Sequence, residues 1–465
     1  QNCGMAFVVI QHLDPTKKGM LPELLQRVSS MKVFQVKDRM AVKPNFVYVI
    51  PPNKSMSISK GALHLVDPVE IRGLRLPIDF FMRSLANDQQ KQAVGVILSG
   101  MGSDGSLGLS AIKEQNGIVM VQDPATAKFD SMPRNAINSV LVDIVAPANE
   151  LPLSLLNLFK HIPVVKSDPG IEFQDKNSLE KIIALLLVHT GNDFSLYKKN
   201  TMYRRIERRM GIHQINKIAS YANFLTENPK EVEILFKELM IGVTNFFRDA
   251  PVWEKLKETV VPNLIANLHE GSILRAWVAG CSTGEEAYSL AIVFKEALEK
   301  VKPHGGVLLQ IFATDLDIEA IETARKGIFP ANITTDVSPE RLNRFFTVQD
   351  ESYRVTTEIR EMVVFAQHNI IMHPPFTKLD ILTCRNLLIY MDAELQKKIL
   401  GLFYFSINHD GIVLLGSSET LGTQSILFKS VEDKLKIYQR SSAPASTPGL
   451  FDFPSSFSRS KPTDM

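Results

Sequence analysis

The chain has 465 residues, 45% of them apolar and 22% charged, a composition that suits two or three folded domains and excludes disordered and fibrous classes. A formal net charge of +2 gives no bulk attraction for nucleic acid or for a membrane, so any basic surface must be local. Three cysteines, Cys3, Cys281 and Cys384, lie far apart without CxxC spacing, which excludes a disulfide framework, disfavours a cysteine-rich metal site and fits a cytoplasmic setting.

In chain order, short apolar runs (AFVVI, FVYVI, AVGVIL, GIVMV) alternate with helical stretches over residues 1–146, the pattern of an α/β lobe with a parallel sheet. The chain opens on Gln1 and runs straight into strand-like sequence, so a longer polypeptide is expected. Within this lobe GVILSGMGSDGSLGL, residues 95–109, breaks into glycines around Asp104. Pro147, Pro152, Pro163 and Pro169 mark residues 147–177 as a linker with one short helix. Residues 178–262 show only helical periodicity. There YKKNTMYRRIERRMGIH carries Arg204, Arg205, Arg208 and Arg209. At about 100° per residue the four arginines span one arc beside an apolar stripe of Met202, Ile206 and Met210, and are expected to face outward together. Such a run is either a solvated face or a docking surface. A second α/β pattern fills residues 263–440, with strand candidates RAWVAG, LLQIFATD, VVFAQHN, LDILTC and GIVLLGS, and the Ser/Pro-rich residues 441–465 read as a disordered tail. No internal repeat and no apolar run long enough for a membrane span appears.

The densest chemistry lies in the second half. LRAWVAGCSTGEEAYSLAIVF reads as strand, glycine turn and amphipathic helix, so that Gly280 and Gly284 allow backbone to approach a ligand at the helix N-terminus. In LQIFATDLD a second strand ends in Asp315, placed to accept ribose hydroxyls. The turn has no lysine, and Glu285 and Glu286 would repel a pyrophosphate. Carboxylates there suit a cationic cofactor without phosphate, and S-adenosylmethionine is the common one.

The motifs LMIGVTNFFRD, VAGCSTGEEAYSLA, ATDLD, FAQHNI and LTCRNLLIYMD, in this order and spacing, resemble the chemotaxis receptor methyltransferases, the CheR family, over residues 178–440. The resemblance implies an all-helical subdomain followed by a Rossmann-like S-adenosylmethionine-dependent domain with a small β-subdomain. It also implies methyl transfer to glutamates of a chemoreceptor signalling domain. Position by position, it places Thr244 and Arg248 at the methionine end of the cofactor, Glu285 at the turn, Asp315 on the ribose and Asn369 and Ile370 beside the adenine. Arg385 and Asn386 would complete the pocket, and Tyr390 would lie near the transferring methyl group. The arginine-rich helix matches one that faces the receptor's methylation region. Gly242 departs from members that carry a cofactor-contacting asparagine. The stretch RFFTVQDESYRVTTEIREMVVF lacks the glycine loop of tether-dependent members, so no tether peptide is expected. A glutamate acceptor is already ionised at neutral pH and needs no general base, which leaves positioning, by Arg248 and Tyr390, as the main catalytic demand.

AFVVIQHLDP, GVILSGMGSDGS and GIVMVQDPATAKFDSMPRNAI resemble the catalytic domain of receptor methylesterases, the CheB family. The resemblance implies that His12 is a general base oriented by Asp104, with the Met101 N–H in an oxyanion hole. The family's nucleophilic serine follows a first strand that would lie before Gln1, and none of Ser99, Ser103 and Ser106 stands in its place. The lobe is thus expected to be inactive in this chain, whether as part of a longer fused protein or as a degenerate scaffold. A non-catalytic sensory scaffold and a nucleic-acid methyltransferase are the alternatives. The latter is disfavoured because HPPF (373–376) puts His373 where a catalytic amide would be needed, so this stretch is read as a loop.

Overall fold

The computed structural model describes residues 3–11, 20–67, 76–161, 173–240, 242–266, 268, 271–301, 306–349 and 352–442. His12 and the tail beyond residue 442 lie outside the described residues. The chain divides into two compact units, Gln1–Gly170 with Glu207–Tyr221, and Ile171–Ile206 with Ala222–Met465.

In the first unit, β1 (Phe7–Val9), β2 (Lys32–Gln35) and β3 (Phe46–Val49) form a parallel sheet in the order β1-β3-β2. A second parallel sheet has the order β4 (Val94–Ile97), β5 (Ile118–Gln122), β6 (Ile144–Ala146). The single sheet expected from the alternating runs is therefore two, with β1 and β4 as edge strands. The central β5 is buried at every residue, as a continuous apolar run in a parallel sheet should be. By contrast Val96 of β4 is 38% exposed. Helix α1 (Pro77–Gln89) serves both sheets, with Phe81 packed among Tyr48, Met56 and Leu63 and with Ile78 and Met82 among Ile97 and Leu109. Helix α2 (Ser106–Glu114) follows the Asp104 turn. The stretch read as a linker contributes helix Leu151–His161, whose Leu151, Leu155 and Leu158 pack on Ile118 and Met120.

In the second unit, a seven-stranded sheet comprises β7 (Ile273–Ala279), β8 (Leu308–Asp315), β9 (Val363–Gln367), β10 (Leu379–Cys384), β11 (Ile407–Leu415), β12 (Phe428–Glu432) and β13 (Ile437–Arg440). Its order is β9-β8-β7-β10-β11-β13-β12, with the first five strands parallel and the last two antiparallel. Each strand candidate of the second half lies in this sheet. Between β8 and β9 a three-stranded antiparallel sheet (Ile328–Pro330, Phe346–Gln349, Ser352–Val355) supplies the small β-subdomain. Helix α3 (Lys199–Ile212) runs across the division between the two units, and its second half counts with the first unit. Among the described residues no helix is long and apolar enough to cross a membrane.

Candidate functional site

Winding reverses between β7 and β10, which is where an open α/β sheet presents a ligand crevice at its carboxyl edge. The turn after β7 is bound to the end of β8: Gly280 N and Cys281 N donate to Thr314 O at 2.8 and 2.9 Å, and Ser282 N donates to Asp315 Oδ2 at 2.8 Å. Asp317 N donates to Asp315 Oδ1 at 3.0 Å, and His368 N, just past β9, donates to the Asp315 carbonyl at 2.9 Å. Asp315 is therefore the knot of three loops, and burial raises its carboxyl. Gly284 is obligatory: at φ +97 a Cβ would sit 2.9 Å from Ala324 Cβ and 3.1 Å from the Phe365 ring.

Glu285 opens α4 (Glu285–Val301), where its Oε2 accepts from Thr283 Oγ1 at 2.6 Å. Burial pushes its carboxyl up to about 7. Asn369 is buried; its Nδ2 donates to Asn192 Oδ1 at 2.9 Å, while its Oδ1 accepts from Ile371 N and Met372 N. Ile370 packs at the edge of the core beside β10, and HPPF is indeed irregular backbone. Tyr197 belongs to the same neighbourhood, its phenol pushed up to about 12 by burial and by the charge of Asp315. Asn192 and Tyr197 come from the stretch between helix Phe173–Thr190 and α3, inside a region whose sequence reads as helical throughout.

Thr244 and Arg248 lie on the segment entering this edge, which Phe247 N anchors to α4 through Ser289 Oγ at 3.0 Å. Arg248 is half-buried, and its Nη1 donates to Val243 O at 3.2 Å. Arg385 does not present an open guanidinium. Its side chain is 1% exposed, paired with Asp249 at 2.6 Å and Glu286 at 3.3 Å, and it donates to Arg248 O at 2.9 Å. Thr383 Oγ1 completes the Glu286 carboxylate at 2.6 Å. Glu286, noted in the sequence only as a repulsive charge, thus joins β10 to α4. Asn386 follows with φ +61, and Tyr390, half-buried, ends the short turn Leu388–Tyr390. Gly242 also has a structural cause: Ser282 Oγ donates to its carbonyl at 2.8 Å, and a Cβ there would meet that oxygen at 2.5 Å. The serine holds the space an asparagine would need.

The donor set fits the cofactor expected. Two carboxylates, an asparagine and a turn with left-handed backbone at Gly280 (φ +78) and Ser282 (φ +47), with no lysine or arginine in it, suit a cation and a ribose diol and suit a polyphosphate poorly.

The arginine-rich helix is not the outward face expected. Arg204 is exposed, but Arg205, Arg208 and Arg209 are 3%, 7% and 7% exposed. Arg205 pairs with Glu238 at 3.7 Å, Arg208 grips the buried Asp143 with two nitrogens, and Arg209 Nη2 lies 3.3 Å from His213 Nε2. Helical spacing showed that these side chains share an arc. It could not show that carboxylates 33 and 65 residues away cover that arc.

In the methylesterase-like lobe Asp104 is 4% exposed and accepts from Ile78 N at 3.0 Å and Asp79 N at 2.9 Å, capping α1. Asp79 returns the cap by accepting from Gly108 N of α2 at 2.6 Å. Burial and the neighbouring Asp104 charge push the Asp79 carboxyl up to about 7. Met101 is 71% exposed beside this turn, whereas Ser106 is buried in α2 and Ser99 is bonded to Phe129 and Gln122.

Comparison with known proteins decides the family. Residues 242–437 match the model for the CheR methyltransferase SAM binding domain, 177–240 the CheR all-alpha domain and 1–155 the CheB methylesterase. Chemotaxis protein methyltransferase 2 of Vibrio cholerae is 30% identical over 245 residues, which cover 51% of this chain and 84% of that protein. The chain belongs to the CheR methyltransferase family. Its cofactor is S-adenosylmethionine. This CheR chain is also 36% identical over 441 residues to an uncharacterized 104.1 kDa protein in the hypE 3' region of Rhodobacter capsulatus, covering 90% of itself but only 46%, about half, of that relative. The crystal structure of the Thermotoga maritima CheB methylesterase catalytic domain is 30% identical, covering 32% of this CheR chain and 82% of that domain at a TM-score of 0.30.

Proposed function

We propose that the chain transfers methyl groups to glutamate side chains on the signalling domain of a chemoreceptor, in the cytoplasm, and that its CheB-like lobe performs no ester hydrolysis by itself. The observation that carries this reading is the convergence of Glu285, Asp315, Asn369 and the Arg248 and Tyr390 segments on the carboxyl edge of one parallel sheet. S-adenosylmethionine, when bound, supplies a methyl group made electrophilic by its sulfonium. Glu285 and Asp315 hold the ammonium and the ribose diol, Asn369 and Ile370 flank the adenine, and Thr244 supports the methionine end. Arg248 grips the incoming carboxylate in a charge-assisted fork and Tyr390 aligns it. Because that carboxylate is already ionised, these side chains move no proton, and holding the two reactants at attack distance supplies about 7–11 kcal/mol of barrier lowering.

For the first lobe, His12 and Asp104 are the base and its orienting residue. Incubation with labelled S-adenosylmethionine and a receptor signalling fragment tests the proposal: label should appear on receptor glutamates. Cofactor binding without incorporation would instead support a scaffold.

A further inference from the structure

Beyond β11 the chain doubles back and buries Glu419 to 3% exposure. Its Oε1 accepts from Leu387 N at 2.9 Å and Leu388 N at 2.7 Å, and its Oε2 accepts from Asn386 N at 3.1 Å and Gly416 N at 2.5 Å. Three consecutive backbone N–H groups converging on one point form an anion-binding nest. Here the anion is built into the chain. The nest also explains the left-handed backbone of Asn386, a conformation that persists in a residue with a Cβ only where its surroundings impose it.

The far end of the same segment is held separately. Lys198 N donates to Tyr390 O at 2.9 Å, Asp392 N donates to Leu196 O at 3.0 Å, and Gln396 Nε2 donates to Leu388 O at 2.8 Å. Tyr390 thus stands between two backbone clamps, one of which is a single carboxylate that bonds only main-chain groups. We propose that Glu419 is a positioning residue for methyl transfer, fixing Tyr390 through the Asn386–Leu388 backbone; this rests on the function proposed above. Without an acceptor at 419, buried N–H groups lose their partner and the turn relaxes. A displacement of about 1 Å at a reacting group is enough to lower a rate about 100-fold.

The test uses the full chain with Glu419→Gln and, as a second perturbation that keeps the carboxylate, Gly416→Ala, whose Cβ would lie 2.8 Å from both Asn386 N and Glu419 Oε2. Measured together are kcat and KM for a receptor fragment at saturating cofactor, cofactor affinity by calorimetry, and amide exchange. Expected is a kcat loss of about 100-fold in Glu419→Gln and a smaller loss in Gly416→Ala, with KM for the receptor fragment close to wild type and any change in cofactor affinity much smaller than the change in kcat. Leu387 and Leu388 amides should exchange faster while those of β10 stay protected. Unchanged kcat despite faster exchange would overturn the proposal, as would a kcat loss that follows cofactor affinity or global unfolding. A wild-type protein that transfers no methyl group would refute the function itself; in that case unchanged exchange at Leu387 and Leu388 in both variants would still refute the role of Glu419.

Discussion

Replacement of Asp143 by Asn should unfold the first unit far more easily than its conservative size suggests. The Asp143 carboxylate is buried and accepts from Lys113 Nζ at 2.8 Å, Arg208 Nε at 2.7 Å, Val119 N at 2.8 Å and Arg208 Nη2. Lys113 and Arg208 are themselves 1% and 8% exposed at the side chain, so the asparagine variant removes from a dry site the negative charge that both cations share. Removing one partner of a buried ion pair costs about 3–5 kcal/mol, against about 5–15 kcal/mol for a typical domain's whole stability. With a urea dependence of about 3 kcal/mol per M, the first unfolding midpoint should fall by about 1–2 M. Burial alone would raise the Asp143 carboxyl, but Arg208 and then Lys113 outweigh it and hold it at about 2. Because that lies below the value of 3.8 for the unfolded group, the stabilisation is present above pH 4 and disappears as pH falls towards 2. Combined replacement of all three side chains by apolar ones of similar volume should recover most of the loss. Urea titration of the variants at neutral pH is the assay, and a midpoint unchanged in Asp143→Asn would refute the reasoning.

Cofactor binding should release a proton near neutral pH. Glu285 titrates at about 7 through burial, and a cation placed beside it favours the carboxylate, so affinity should rise as pH climbs through 7 and then level off. Calorimetry in buffers of differing ionisation enthalpy reads this directly, and a pH-independent affinity would contradict it. Arg248→Ala should abolish turnover while leaving the circular dichroism spectrum and melting temperature near wild type; unchanged turnover would remove the carboxylate fork from the mechanism. For Asp79, the folded carboxyl near 7 binds its proton more tightly than the unfolded one near 3.8, with burial and then Asp104 raising it and Arg83 opposing. Wild-type stability of the first unit should therefore fall as pH rises from 4 to 7, and Asp79→Asn should lack that decline in pH-dependent melting.

Much of this molecule is legible in its sequence because strand runs and glycine turns are local signals. RAWVAGCSTGEE and LQIFATDLD could be placed at strand ends since a buried parallel strand is a continuous apolar run and Gly284 admits no Cβ. What stayed hidden depends on partners distant in the chain. The helical wheel of residues 199–212 is indifferent to whether Asp143 and Glu238 cover its basic side, and so predicted exposure where there is burial. Asp79 and Asp104 cap each other's helices across 25 residues, a reciprocity that no spacing rule contains. Asn192, Tyr197 and Glu419 do not stand out in the sequence, because hydrogen bonds to remote groups leave no periodic trace.

The central claim is tested most directly by asking which bond the transferred methyl group enters. After incubation of the chain with methyl-labelled S-adenosylmethionine and a receptor signalling fragment, the labelled receptor is treated with mild base and volatile label is collected. The account predicts release of the label as methanol, the signature of a carboxyl methyl ester, and retention of the label when only this chain is present without base. Label that resists base, or no incorporation by a protein shown to bind the cofactor, would contradict it.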